Sequence, residues 1–587
     1  MKSVIGRGLL CGVLLLFGRG PLFAQTAGTQ ATPRGTTAPP RVWGIPLSAC
    51  EAVGGPAKAV CGSYEVFEDR TARSGRKLKL NLMVLPATAD KPEPDPVFLI
   101  AGGPGGSAVK DEAGFGTLFR QNRDVVLIDQ RGAGSSNRLA CDIDEGVSAA
   151  FSRILPLEKL RRCRDELEKV VDLRMYTTSI AMDDLDEVRG ALGYGQINVF
   201  GGSYGTTAAL DYLRRHPDHV RTITVDGVVP PSFRVPLPFP HTVQKSIEGV
   251  FERCSANDKC HAAYPHLQDE FEAVLERLGK APITFKFASP PSLKQPVEVT
   301  LTRDMFADFL RRILYTLPGI SLMPAAIHSA YNGDFALYAR MCYELSIRSQ
   351  NDIPFGMYFS ILCNESFPFI SDDEVARISK GSYTGDFRIR AQREMCVGWP
   401  NANTPKSFVE PVRSDKPVLL LSGELDPAAQ PEYAAEAAKY LSHNKHIIVR
   451  NGSHGQFSPC ITKIMVQFLD AGSTAGLDTS CVDQIPLPAF KLGPILSQVS
   501  IPVKTLAEYV GTYELMPGTT ASVTLDGSQL ILLFGGAPEG LALYPESDTK
   551  FFVLQANFEI EFFHDTTGKI THFVMHQLYR DVTLTRK

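Results

Sequence analysis

Short runs that are apolar on both faces alternate along this chain with stretches whose apolar positions recur at helical period. The runs fall at 97–100, 124–129, 197–200, 222–226, 418–421 and 446–449, and the helical segments between them include 180–192. A strand that is apolar on both faces needs cover on both, so the pattern predicts a three-layer α/β core with a largely parallel sheet. Segment 76–82 alternates instead, which suits an edge strand. The strand spacing breaks between Val229 and Lys416. There 243–251, 266–278, 305–315 and 327–345 read as helices, and 283–287 with 297–300 reads as a β hairpin. An insertion between two core strands belongs at the functional rim of such a sheet, where it caps the site and chooses substrates. From about Leu506 the pattern is strands only: 522–525 and 530–534 around an Asp526-Gly527 turn, then 551–554, 560–563, 570–574 and 582–584. These predict a small antiparallel β domain with no evident chemistry of its own. The expected division is a leader at 1–24, core at 25–230, cap at 231–415, core again at 416–495 and the β domain at 503–587.

Charge narrows the partners. Sixty Lys and Arg stand against 64 Asp and Glu in 587 residues, a net charge of −4, with no basic block to follow a phosphate backbone. Nucleic acid is therefore excluded as the expected partner. Lys2, Arg7 and Arg19 flank an apolar run at 9–17, and small Ala24 follows. This is the form of a cleavable export signal, and the run is too short to span a bilayer. We expect a periplasmic or secreted protein without a membrane anchor. Eleven of the 12 cysteines follow Ala24, most in close sequential pairs: Cys50/Cys61, Cys141/Cys163, Cys254/Cys260, Cys363/Cys396 and Cys460/Cys481, with Cys342 left over. Proximity does not fix pairing, but an oxidising compartment favours disulfides, and no CxxC cluster points to a metal.

Gly201-Gly202-Ser203-Tyr204-Gly205 joins a predicted strand directly to a predicted helix. In that context GxSxG raises the serine hydroxyl above the sheet as a nucleophile, whereas the same residues elsewhere make only a tight turn. A serine needs an imidazole oriented by a carboxylate. Asp426, in Gly423-Glu424-Leu425-Asp426-Pro427, and His454, in Gly452-Ser453-His454-Gly455, each follow a predicted parallel strand and so share the rim of Ser203. Glu424 is the rival acid, and Asp426 has the alternative of capping a helix. The oxyanion needs two donors, expected from the N–H of Tyr204 and of Gly103 in the loop Gly102-Gly103-Pro104-Gly105. That loop lacks the GxGxxG offsets of a dinucleotide site, and no motif calls for a cofactor or metal.

These motifs, with Ala101 to Ser107 and Asp129-Gln130-Arg131-Gly132-Ala133-Gly134-Ser135-Ser136, resemble the α/β-hydrolase family of proline iminopeptidases and secreted tripeptidyl aminopeptidases. The resemblance runs from about Cys50 to Cys481. It implies Ser203 as nucleophile, Asp426 and His454 as its partners, and Gly103 with Tyr204 at the oxyanion hole. The late cysteine pair, split cap and export signal are more similar to the tripeptidyl branch, and Ala101 departs from the histidine of the iminopeptidases. The stretch 506–515 resembles the start of a small β domain appended to some bacterial serine hydrolases. The implied fold is an α/β-hydrolase sheet with a largely helical cap and a C-terminal antiparallel β domain. The implied activity is a serine exopeptidase releasing short peptides from free N-termini. Proline iminopeptidase or ester hydrolysis is the alternative with the same triad, and a noncatalytic binding protein is the non-enzyme alternative. An aminopeptidase must hold a cationic amine, for which cap residue Glu365 is the candidate and a solvated loop acid the competing reading. No oligomeric state follows from the sequence.

Overall fold

The computed structural model describes residues 43–51, 58–288, 295–347, 353–492, 495, 501–516, 519–534, 540–556 and 558–587. The expected leader at 1–24 lies outside them. Strands β1 (Ser48–Glu51), β2 (Lys58–Phe67), β3 (Lys77–Leu85), β4 (Val97–Ile100), β5 (Val125–Ile128), β6 (Ile197–Gly202) and β7 (Val220–Asp226) precede the insertion. Within it lie β8 (Ile283–Phe287) and β9 (Val297–Leu301), and after it β10 (Ser414–Gly423) and β11 (Leu441–Val449). The main sheet has nine strands in the order β1-β2-β3-β5-β4-β6-β7-β10-β11, parallel from β5 onward and antiparallel at the β1 to β3 end. Successive residues of β4 serve opposite faces, because side chains alternate across a strand. Phe98 and Ile100 join one apolar core while Val97 and Leu99 join the other. Segment 77–85 is not an edge. It lies third in the sheet, covered by β2, whose mixed polar sequence did not read as a strand.

Register decides where the chemistry goes. Gly202 and Leu421 both lie beside Asp226, and Gly423 lies beside Val449, so the carboxyl ends of β6, β7, β10 and β11 reach one rim. Between β7 and β10 the chain builds a mostly helical cap whose helices include Phe239–Ser255, Arg303–Ile313, Leu317–Tyr331, Phe355–Glu365 and Phe387–Cys396, and β8 pairs antiparallel with β9. The expected helix at 327–345 is broken. Leu317–Tyr331 stops before Asn332, Gly333 takes φ 93°, and the chain restarts as Ala336–Cys342. A left-handed φ at that point is tolerated by glycine and ends the helix.

The C-terminal unit is a closed barrel of eight antiparallel strands, from Gly511–Met516 to Asp581–Arg586, whose first and last members pair. Tyr513, Phe551, Phe562 and Phe573 fill its interior. A short helix, Val503–Glu508, precedes the strands, where strands alone were expected. The barrel is joined to the cap, where Gln555 Nε2 donates to Glu344 Oε2 at 2.7 Å, and to the segment after β11, where Lys491 binds Glu546 and Glu559. Five disulfides form, Cys50–Cys61, Cys141–Cys163, Cys254–Cys260, Cys363–Cys396 and Cys460–Cys481, and Cys342 is a buried free thiol. Such a set belongs to an oxidising compartment. No helix among the described residues is long and apolar enough to cross a membrane.

Candidate active site

Ser203 sits between β6 and the helix Tyr204–Arg215 with φ 55° and ψ −123°, a left-handed strain that a non-glycine residue adopts only when its surroundings enforce it. The enforcement is visible. Ser203 N donates to Asp226 O at 2.9 Å. A Cβ at Gly201 would meet Gly205 O at 2.2 Å, so the turn closes only over glycine. The loop after β4 lies against the serine. A Cβ on Gly102 would come within 3.2 Å of Ser203 Cβ, and Gly103 has φ 124°, again a glycine conformation.

His454 follows β11, and its Nδ1 is 2.8 Å from Asp426 Oδ2. Asp426 is fully buried, and its other oxygen accepts from Ala428 N at 2.7 Å and Ala429 N at 2.9 Å. Capping the turn and orienting the imidazole are therefore one arrangement, each use taking one carboxylate oxygen. Glu424, the rival acid, is exposed and accepts from Asn451 N instead. Burial alone would depress the imidazole pKa. The Asp426 charge and hydrogen bond, with help from Tyr315 and Asp226, outweigh this and hold His454 at about 9. The Tyr315 ring stacks on His454 with centroids 4.7 Å apart.

Glu365 is the last residue of the helix Phe355–Glu365 and is only 3 % exposed, so the solvated-loop reading does not hold. Its carboxyl accepts from Thr178 N at 2.5 Å and Thr178 Oγ1 at 2.6 Å, and Thr178 Oγ1 is 2.7 Å from Tyr204 Oη. Burial pushes its pKa up to about 8 against the opposing pull of the Thr178 hydrogen bonds. Ser203, His454, Gly103, Tyr204 and Glu365 all line one cavity of about 950 Å³, and Asp426 stands behind the histidine.

Two contributors were not foreseen. Asp226, at the end of β7, is 3 % exposed, accepts from Gln456 N at 2.6 Å and has Oδ1 buried without a partner; burial raises it to about 7. The rule that placed Asp426 at the rim also applies to an acid ending β7, so this one was within reach of the sequence. The second is the barrel, which has no evident chemistry of its own in the sequence but whose Phe558, Met575 and Tyr579 form part of the cavity wall. Among the described residues one group of metal-type ligands converges, Asp186, His216 and His219, away from this cavity. Asp186 Oδ1 already accepts from Arg189 at 2.8 Å and Tyr212 at 2.9 Å and lies 2.6 Å from His219 Nδ1, so hydrogen bonds account for the group.

The chain is 24% identical over 472 residues to serine protease Hip1 of Mycobacterium tuberculosis, covering 73% of this chain and 88% of that protein. It is 25% identical over 486 residues to the tripeptidyl aminopeptidase of Streptomyces lividans, covering 73% and 84%. Among solved structures, the proline iminopeptidase of Mycobacterium smegmatis aligns over 70% of this chain and 98% of its own with 15% identity and a TM-score of 0.31. A domain of unknown function (DUF3471) matches residues 497–586. The alpha/beta hydrolase fold family matches residues 95–458, more than half of the sequence and the whole span from β4 to beyond His454, and the chain belongs to that family.

Proposed function

We propose that this protein is an exported serine aminopeptidase that releases short peptides from free N-termini through an acyl-enzyme. The observation that carries the reading is that a strained Ser203 and His454 line one cavity, with Asp426 hydrogen-bonded to the imidazole from behind. With Nδ1–H held by Asp426, Nε2 is the nitrogen that takes the Ser203 proton as Oγ bonds to the substrate carbonyl carbon. The carbonyl oxygen becomes an oxyanion facing the N–H groups of Gly103 and Tyr204. Collapse breaks the C–N bond, His454 returns the proton to the leaving amine, and water repeats the sequence on the ester. A binding protein without catalysis would have no use for strain at Ser203.

Glu365 supports the aminopeptidase over an ester hydrolase. A buried carboxyl on the cavity wall is poised to ionise when an ammonium arrives, and the names of the relatives, a serine protease and a tripeptidyl aminopeptidase, point the same way. Five disulfides support export. A charge-assisted contact contributes about 1.5–3 kcal/mol. Acetylating the substrate amine, or making Glu365→Gln, is therefore expected to lower kcat/KM by about ten- to a hundredfold. Both changes together should add little, since they remove one interaction. Equal rates on free and acetylated peptides would overturn the aminopeptidase reading. An effect of acetylation without one at Glu365 would move the amine site to another cap acid.

A further inference from the structure

The last turn of the cap helix Arg303–Ile313 carries Arg311 and Arg312, and both side chains line the cavity that holds Ser203 and His454. Arg311 is held in place by aromatic rings. Its guanidinium lies 4.7 Å from the centre of Phe239 and 5.2 Å from that of Tyr315, and it donates to Tyr315 Oη. Arg312 lies 5.1 Å from the same tyrosine ring, which stacks on His454. The nearby Arg388 is matched by a carboxylate, with bonds of 2.7 and 2.6 Å to Asp308. Arg311 is different: among the described residues it makes no ion pair, and its Nε is buried without a hydrogen-bond partner. Arg311 is half-buried, and a guanidinium partly withdrawn from water without an anion is unfavourable, which the rings around it offset only in part.

We propose that Arg311, supported by Arg312, binds a carboxylate on the leaving side of the substrate. The side follows from the mechanism. The leaving amine must meet His454 to receive its proton, and both arginines lie against the tyrosine ring that stacks on that histidine. Two sources present the same group there: an Asp or Glu side chain on the first leaving residue, or the α-carboxylate when little chain follows the scissile bond. The Arg311 charge, with those of His454 and Arg312, also lowers the Tyr315 phenol below its ordinary pKa against the effect of burial. The inference rests on the hydrolase reading only for the direction of the substrate.

Binding to the full-length Ser203→Ala chain tests this without turnover. Calorimetry would compare two pairs of leaving products: Glu-Ala-amide with Gln-Ala-amide, and Ala-Ala with Ala-Ala-amide. The carboxylate member of at least one pair is expected to bind about tenfold more tightly or better, and the pair that discriminates identifies the source. Adding Arg311→Met should remove the preference, and Arg311→Lys should retain part of it. If the Met variant does not fold, Arg311→Gln, which keeps a donor toward Tyr315 without the charge, is read in its place. Equal affinities within both pairs, or a preference that survives loss of the arginine, would overturn the proposal. A protein that shows the preference but cleaves no peptide would overturn the aminopeptidase reading alone.

Discussion

Ser203, Asp426 and His454 lie far apart in sequence, and each was legible because each follows a strand in a context with few alternatives. Ser203→Ala is expected to lower turnover by several orders of magnitude while the melting profile is retained; near-normal activity in the folded variant would exclude it as the nucleophile. The base must be neutral to accept a proton, and His454 is held at about 9. The kcat/KM for a simple ester, which carries no titrating amine, should therefore rise from pH 7 toward 9. A limb centred at or below the ordinary imidazole value of about 6.5 would contradict this. Stability should move the other way. Glu365 and His454 both have folded pKa values above their unfolded ones, so the native state binds more protons and its advantage shrinks as pH rises through about 8 and about 9. Each group can contribute up to about 1.4 kcal/mol per pH unit within its window. Between pH 5 and 8 the melting temperature of Glu365→Gln should gain on that of wild type; parallel curves would show that Glu365 does not titrate as its burial implies. Asp226 was within reach of the strand-end rule but belongs to no motif, and Arg311 lies on a cap helix without one; what marks them is one buried atom each without a hydrogen bond, Oδ1 of Asp226 and Nε of Arg311.

Among the elements, runs apolar on both faces were easy to read since only a central strand between two layers needs them. The strand β2 carries Lys58, Gly62 and Glu65 and is half exposed, so its hydrophobic signal is weak; missing it made β3 look like an edge. The helix break at Gly333 was hidden because apolar residues continue at helical period on both sides of it. The disulfide Cys363–Cys396 ties the helix carrying Glu365 to Phe387–Cys396, closing a separation of 33 residues. Such a link is worth about 3–4 kcal/mol. Replacing both cysteines with serine should lower the melting temperature and raise KM for free peptides while leaving kcat on a small ester nearly unchanged. Equal losses on both substrates would mean that the link supports the core instead of the amine subsite.

At the scale of the whole molecule, the sheet brings Ser203, Asp426 and His454 to one rim, and the cap and the barrel both contribute to the wall of the cavity there. The barrel's part in that wall was not legible, because sequence patterns report what each segment buries within its own domain and not which neighbour its rim meets. Gln555 from the barrel donates to Glu344 of the cap, a buried acceptor, so Gln555→Ala should destabilise the protein by about 1–3 kcal/mol. An unchanged melting temperature would show that this contact does not secure the barrel. The central claim, a serine enzyme that reads a free N-terminus, is tested most directly by product analysis. Wild-type protein would be incubated with peptides of graded length, each free and N-acetylated, and the fragments identified by mass spectrometry. The account predicts short N-terminal fragments from the free peptides, little from the acetylated ones, and none with Ser203→Ala. Equal cleavage of both forms, or cuts at internal sites irrespective of the N-terminus, would contradict it.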